Sequence, residues 1–204
     1  FIYFLLIIYI KEQLLKYLVD SGYLHTKRII NSFEKFDRAD FVLKEYREEA
    51  YQNQPLSIGY GQTISQPSTV SFMMELLEPK PGDNILDVGS GSGWTTAILS
   101  GSVGKKGKVL GLEIIPQLVE YGKANLEKYK ITNAQIKLVK NNLDLQEKTF
   151  DKILVSAASD KIPPLLKKVL KIGGRMVIPV KSSIFKLDKV SEKEFRKTEY
   201  RGFV

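Results

Sequence analysis

The chain has 204 residues, enough for one domain with a full core and a small terminal extension. Its 43% hydrophobic and 26% charged content argues against wholesale disorder. The absence of cysteine excludes disulfides, thiolate metal sites and cysteine nucleophiles, and a single histidine, His25, excludes a histidine-rich metal site. The net charge of +8 comes from lysines scattered among acids rather than from an arginine-rich block. It reads as a solvated surface, not a nucleic-acid face.

Phe1 to Ile10, FIYFLLIIYI, is apolar but half the length of a membrane-spanning helix, which needs about 20 residues. No basic segment precedes it and no small-residue cleavage site follows, so it does not read as a signal peptide. Residues 1–10 are expected to be an extension, in a chain that opens on Phe rather than Met. Leu14, Leu15, Leu18 and Val19 lie at helical spacing, ended by Ser21-Gly22. A second helix is expected near 27–36, and a turn with another short helix over 37–51. Residues 11–66 therefore read as a helical cap and a substrate-side segment.

Residues 67–204 read as an α/β domain. A helix over 68–77 starts at Pro67, and Pro79 to Asp83 forms a turn. Strands are expected at 84–88, 108–112, 135–139, 150–155 and 175–180, the last after a Gly173-Gly174 turn. Helices are expected at 94–100, 116–129 and 163–170. The tail, 183–204, carries short β-like pieces. Such alternation predicts a mostly parallel sheet with helices on both faces, a Rossmann-like fold.

Asp87-Val88-Gly89-Ser90-Gly91-Ser92-Gly93 follows a strand and opens a helix, the context that gives a glycine motif meaning. Glycines allow a tight turn and close approach of a ligand. Glu113 stands 20 residues past Gly93, at the end of the next strand, where an acid accepts from ribose hydroxyls. A dinucleotide fingerprint spaces its glycines G-x-G-x-x-G; here the third comes one residue early. Asp87 would repel a pyrophosphate but suits a cationic ligand. The pattern favours S-adenosylmethionine, with Asp87, Gly89, Ser90, Gly91, Gly93 and Glu113 as its contacts. Asn141, near the end of the third strand, can accept from the adenine amine or serve as a plain turn residue.

The methyl acceptor is narrowed by what is missing. Val155 to Asp160 lacks the Asn/Asp-Pro-Pro-aromatic run of amino methylation, C5-cytosine methylation needs a cysteine, and no metal cluster stands out. A carboxylate, with a reference pKa of about 4, needs no general base. It needs small donors and placement, which can supply much of the acceleration. Gly59-Tyr60-Gly61-Gln62-Thr63-Ile64-Ser65-Gln66-Pro67 carries no charge and offers the Thr63 and Ser65 hydroxyls. Ser156 and Ser159, at a strand's C-terminal end, are second candidates. His25, Lys181, Met73 and Met74 read as structural or solvent-facing, while Trp94 can line the cofactor pocket or simply pack at the helix start.

GYGQTISQPSTVSFMMELL, LDVGSGSGWTTAIL, RADFV at 38–42 and LKIGGRMVIPV at 170–180 resemble the protein-L-isoaspartate (D-aspartate) O-methyltransferases over about residues 11–180. The resemblance implies an S-adenosylmethionine-dependent methyltransferase fold. It also implies methyl transfer to the free carboxylate of isoaspartyl or D-aspartyl residues in damaged proteins, with S-adenosylhomocysteine as product. The ester then closes to a succinimide that can reopen as aspartate. Ser65 matches the active-site hydroxyl, Gln62, Thr63, Ile64 and Ser65 the segment over the cofactor, and Tyr60, Ser65 and Ser68 the substrate side. With the resemblance goes the expectation of a cytoplasmic monomer acting on isoaspartyl-containing proteins and peptides, with no membrane and no stable nucleic-acid complex.

Departures exist. Many members have GHG for Gly59-Tyr60-Gly61, some a histidine at Ser68, many GDG for Lys140-Asn141-Asn142, and relatives commonly a glycine at Lys181. The family usually continues past a GFV-like run, so truncated C-terminal strands are expected. Two other readings stay open: a same-fold enzyme acting on RNA or a small molecule, and a cofactor-binding relative with impaired catalysis.

Overall fold

The computed structural model describes residues 2–139, 145 and 149–202. Seven strands form one sheet: β3 (Asn84–Val88), β4 (Lys108–Glu113), β5 (Ala134–Leu138), β6 (Phe150–Val155), β7 (Leu170–Val180), β8 (Ser183–Lys189) and β9 (Phe195–Arg201). Their spatial order is β5-β4-β3-β6-β7-β8-β9. The first five run parallel, and β8 joins β7 and β9 antiparallel to both.

The period-2 side-chain alternation splits the core in two. Ile85, Val109, Leu154 and Val177 face a layer built from α3 (Pro67–Leu77), α4 (Trp94–Val103), α5 (Pro116–Lys128) and the N-terminal helices α1 (Ile2–Asp20) and α2 (Lys27–Lys35). Leu86, Leu110, Ile153 and Met176 face the other side, where α6 (Pro164–Val169) lies. The cap is part of the first layer: Leu18, Ile29, Phe36 and Phe41 are each under 2% exposed.

Four expectations differ from the structure. The first helix is longer than the spacing of Leu14 to Val19 indicates, because α1 runs unbroken from Ile2 to Asp20. Residues 37–51 hold two 3-10 turns, Arg38–Asp40 and Lys44–Tyr46, in place of an α-helix. Gly173-Gly174 is not a turn ahead of a strand but an irregularity inside β7, where pairing with β6 jumps from Phe150–Leu170 to Lys152–Arg175. The tail pieces are two full seven-residue strands. Lys181, where relatives commonly have glycine, sits in the β7–β8 turn at φ 53, a conformation that glycine adopts without steric cost.

Residues 56–64 form an unanticipated element. Among the described residues β1 (Leu56–Gly59) and β2 (Gln62–Ile64) pair only with each other. Gly59 faces Gln62 across the two-residue turn Tyr60-Gly61, with φ of 55 and 70. Positive φ at both central residues makes this a type I′ hairpin. Two strands of four and three residues are too short for an alternation to be read from sequence.

Candidate active site

Strand order reverses between β3 and β6, because β4 lies on one side of β3 and β6 on the other. Ligands of open α/β sheets bind in the crevice beyond the C-terminal ends of strands at such a point. The glycine loop leaves β3 there, and Ser156 ends β6 beside it.

The loop is held by backbone bonds. The Leu112 carbonyl accepts from the Gly89 and Ser90 amides at 2.8 and 3.0 Å, and the Ser90 carbonyl accepts from Gly93 at 2.8 Å. Gly89, Gly91 and Gly93 have φ of 82, 51 and 89. A Cβ on Gly89 would lie 2.8 Å from the Ala157 Cβ, and one on Gly91 would lie 3.1 Å from Ile58 Cδ1. The glycines thus serve both the turn and the tight fit between loop, β6 and hairpin.

Asp87 is fully buried. Its Oδ2 accepts from the Thr95 and Thr96 hydroxyls, both at 2.7 Å, and Oδ1 from Ser156 at 2.9 Å. Burial raises its pKa; the three hydroxyl bonds oppose that, and the charge of Glu113 adds to it. The carboxylate lines neither cavity described below. The sequence reading set Asp87 directly against a cationic ligand. The structure sets it behind the loop, where it fixes the start of α4 and the end of β6.

Glu113 is 6% exposed. Its Oε2 accepts from the Gly91 amide at 2.9 Å and its Oε1 from Ile114 and Ile115 at 2.7 and 3.0 Å. One carboxylate therefore ties the glycine loop to the turn before α5 and presents its remaining lone pairs to the crevice. Ile114, next to it, is 73% exposed.

Two cavities sharing Ile58, Thr63, Gly89, Gly91 and Ser156 fill the space between loop and hairpin. The first, about 30 Å³, is lined also by Ile64, Ser65, Ser90 and Trp94. The second, about 150 Å³, extends past Gln62 to Glu113, Ile114, Val139 and Ala157. A larger hollow of about 790 Å³, between α5 and β5, shares no residue with either.

Of the predicted site residues, Gln62, Thr63, Ile64, Ser65, Gly89, Ser90, Gly91 and Glu113 line these cavities, and Gly93 lies behind them as the N-cap of α4. Tyr60 and Ser68 line neither. Tyr60 stands at the hairpin tip, 60% exposed, while Ser68 is 6% exposed at the start of α3, its amide bonded to Asn53 Oδ1 at 3.0 Å. Asn141 lies outside the described residues. Ser156 reaches both cavities; Ser159 reaches neither and bonds the Lys161 carbonyl. His25 is a surface residue beside Glu75. Sequence reasoning missed Ile58, Ile114, Val139 and Ala157, apolar residues indistinguishable in sequence from core. Among the described residues no cluster fit to hold a metal occurs.

The crevice has the marks of a ligand site for an adenosine-like group. The Ser90 hydroxyl is buried in it without a hydrogen-bond partner, a group that normally finds one. A Cβ on Gly89 would collide with Ala157, a residue of the cavity wall, so the loop lies close against that wall. An oriented carboxylate beside an exposed apolar residue fits a ribose next to a base.

Sheet order, crevice and acid together define a Rossmann-like S-adenosylmethionine-dependent methyltransferase fold. The crystal structure of a protein described as a protein-L-isoaspartate O-methyltransferase from Plasmodium falciparum, in complex with S-adenosyl-L-homocysteine, superposes with a TM-score of 0.82. It is 26% identical and covers 94% of each chain. Residues 9–202 match the family Protein-L-isoaspartate(D-aspartate) O-methyltransferase (PCMT). The chain is similar to the protein-L-isoaspartate O-methyltransferase of Methanopyrus kandleri, 36% identical over 94% of this chain and 88% of the relative. It is also similar to that of Ignicoccus hospitalis, 39% identical over 83% and 81%. The chain belongs to the protein-L-isoaspartate O-methyltransferase family.

Proposed function

We propose that this protein transfers the methyl group of S-adenosylmethionine to the free carboxylate of L-isoaspartyl and D-aspartyl residues in proteins, and so starts their repair through a succinimide. The observation that carries this reading is the uncharged hairpin wall. Thr63 and Ser65 share one cavity with the glycine loop, with no acid or base among its described lining residues.

Bound in the crevice, S-adenosylmethionine supplies a methyl group on a positively charged sulfur. Glu113, fixed by three backbone amides, accepts from the ribose hydroxyls. Ile114 and Val139 offer apolar surface to the adenine, and the Ser90 hydroxyl gains the partner it lacks. Asp87 acts indirectly, by setting Thr95 and Ser156 at the cavity wall. The Ser65 hydroxyl donates to the acceptor carboxylate and orients one of its oxygens toward the methyl group. That acceptor is ionised at neutral pH, its reference pKa being about 4, so no proton has to be removed. The position of His25 outside the crevice agrees with chemistry that needs no imidazole.

The test is methyl-labelled cofactor with an isoaspartyl peptide and its aspartyl twin. Base-labile label is expected on the first alone. Equal labelling of both, or none by folded protein, overturns the reading. Base-stable label on RNA would favour the nucleic-acid alternative, with binding that weakens steeply in salt.

A further inference from the structure

Arg38, in the first 3-10 turn, is 3% exposed and spans from the cap to the hairpin. Its Nη1 donates to the Ala50 carbonyl at 2.6 Å, and its Nη2 donates to the carbonyls of Gln54 at 2.9 Å and Ser65 at 3.2 Å. Its Nε–H is buried without a partner. The guanidinium carbon lies 5.5 Å from the centroid of the Trp94 ring. Arg38 itself lines a separate hollow with Lys11, Glu34 and Tyr51, and Trp94 lines both that hollow and the cavity of Ser65.

Among the described residues no carboxylate forms an ion pair with Arg38. Burial moves its pKa down to about 10, so it stays charged at neutral pH. A buried cation without an anion is costly, and carbonyls plus an aromatic face offset only part of that cost. A neutral donor would bridge carbonyls with a smaller desolvation penalty. The charge therefore needs a reason beyond holding the chain together, and the cavity beside Ser65 is where an anion would arrive.

We infer that Arg38 is a positioning residue for the acceptor carboxylate. It fixes the Ser65 segment through its carbonyl and sets an unneutralised positive charge behind the acceptor position. This rests on the carboxylate-acceptor reading above. An arginine suits both parts, because its planar fork engages several carbonyls at once while keeping its charge.

The experiment measures binding of two peptides to the protein saturated with S-adenosylhomocysteine. One peptide carries isoaspartate; the other carries isoasparagine, its neutral amide. Wild type is expected to prefer the carboxylate by about tenfold or more, an attraction of moderate dielectric screening. Arg38→Met should cut that preference to about threefold or less while cofactor affinity stays within about threefold, because the Glu113 side is untouched. Arg38→Lys keeps the charge but not the fork. It should keep the preference and lose about tenfold in turnover.

An unchanged preference in Arg38→Met overturns the inference. So does equal weakening of both peptides, which a purely structural role would give. If Arg38→Met no longer binds cofactor, Arg38→Lys decides, and either loss of preference or wild-type turnover in that variant is contrary. Failure of both variants to bind cofactor assigns Arg38 to the fold alone and also overturns it. Failure of the parent reading is distinct, because wild type would then not methylate the isoaspartyl peptide.

Discussion

The two walls of the crevice are built in opposite ways. The sheet wall, Asp87 to Gly93 with Glu113, grows from β3 and β4, central strands paired on both sides. Its loop amides and acids are committed to short bonds within the wall. Among the described residues the hairpin wall pairs only with itself. It is attached through buried Ile58 and Ile64 and through the Arg38 bond to Ser65. The first wall suits a ligand that is always the same, since recognition there lies in fixed backbone. The second suits an acceptor embedded in varied proteins, since it presents small side chains on a separately attached element.

This contrast can be broken by substitution. The largest effect is expected from Gly89→Ala. It combines positive φ with overlap at Ala157, together about 2–4 kcal/mol, and should abolish measurable cofactor binding by calorimetry while lowering the denaturation midpoint. Glu113→Gln keeps the shape but loses charge-assisted bonds. Cofactor affinity should fall about 10- to 100-fold, with turnover at saturating cofactor within a fewfold of wild type.

Asp40→Asn tests how the cap is held. Burial alone would raise the Asp40 pKa, but hydrogen bonds from Lys128 and Tyr129 and the charges of Lys128 and Arg47 hold it below the usual carboxylate value. A depressed pKa stabilises the fold above the ordinary value, about 4, and that contribution is lost as pH falls through the folded-state value. At neutral pH the variant should lose about 1 kcal/mol or less, since the group is partly exposed. The gap to wild type in urea melts should close in acid.

The smallest effect is expected at the hairpin tip. Tyr60→Asn relieves a left-handed conformation and should stabilise by about 0.5–1 kcal/mol. A stabler protein with reduced peptide turnover would mean that Tyr60 touches the substrate.

Much of the sheet wall was legible in the sequence. The glycine spacing after a buried strand located the loop, and Glu113 fell at the end of the next strand, because both signals are local. The role of Asp87 was not legible: its place behind the loop rests on bonds from Thr95, Thr96 and Ser156, the last 69 residues away. The hairpin was not read as strands, because its conformation rests on Tyr60 and Gly61 rather than on alternation. Ile58 and Ile114 were missed because an apolar residue lining a cavity has the sequence of one buried in the core. Arg38 stood inside a recognised RADFV motif, but only the fold shows its guanidinium reaching Ser65. Gly173-Gly174 has the sequence of a turn, yet it lies within one strand whose pairing with β6 skips from Leu170 to Arg175.

The division of labour between the walls is tested most directly by Ser65→Ala, with cofactor affinity and turnover measured on the same preparation. The account predicts turnover on the isoaspartyl peptide reduced roughly 10- to 100-fold, with S-adenosylhomocysteine affinity within about threefold of wild type. Affinity lost with turnover retained would contradict it, by making Ser65 part of the cofactor wall.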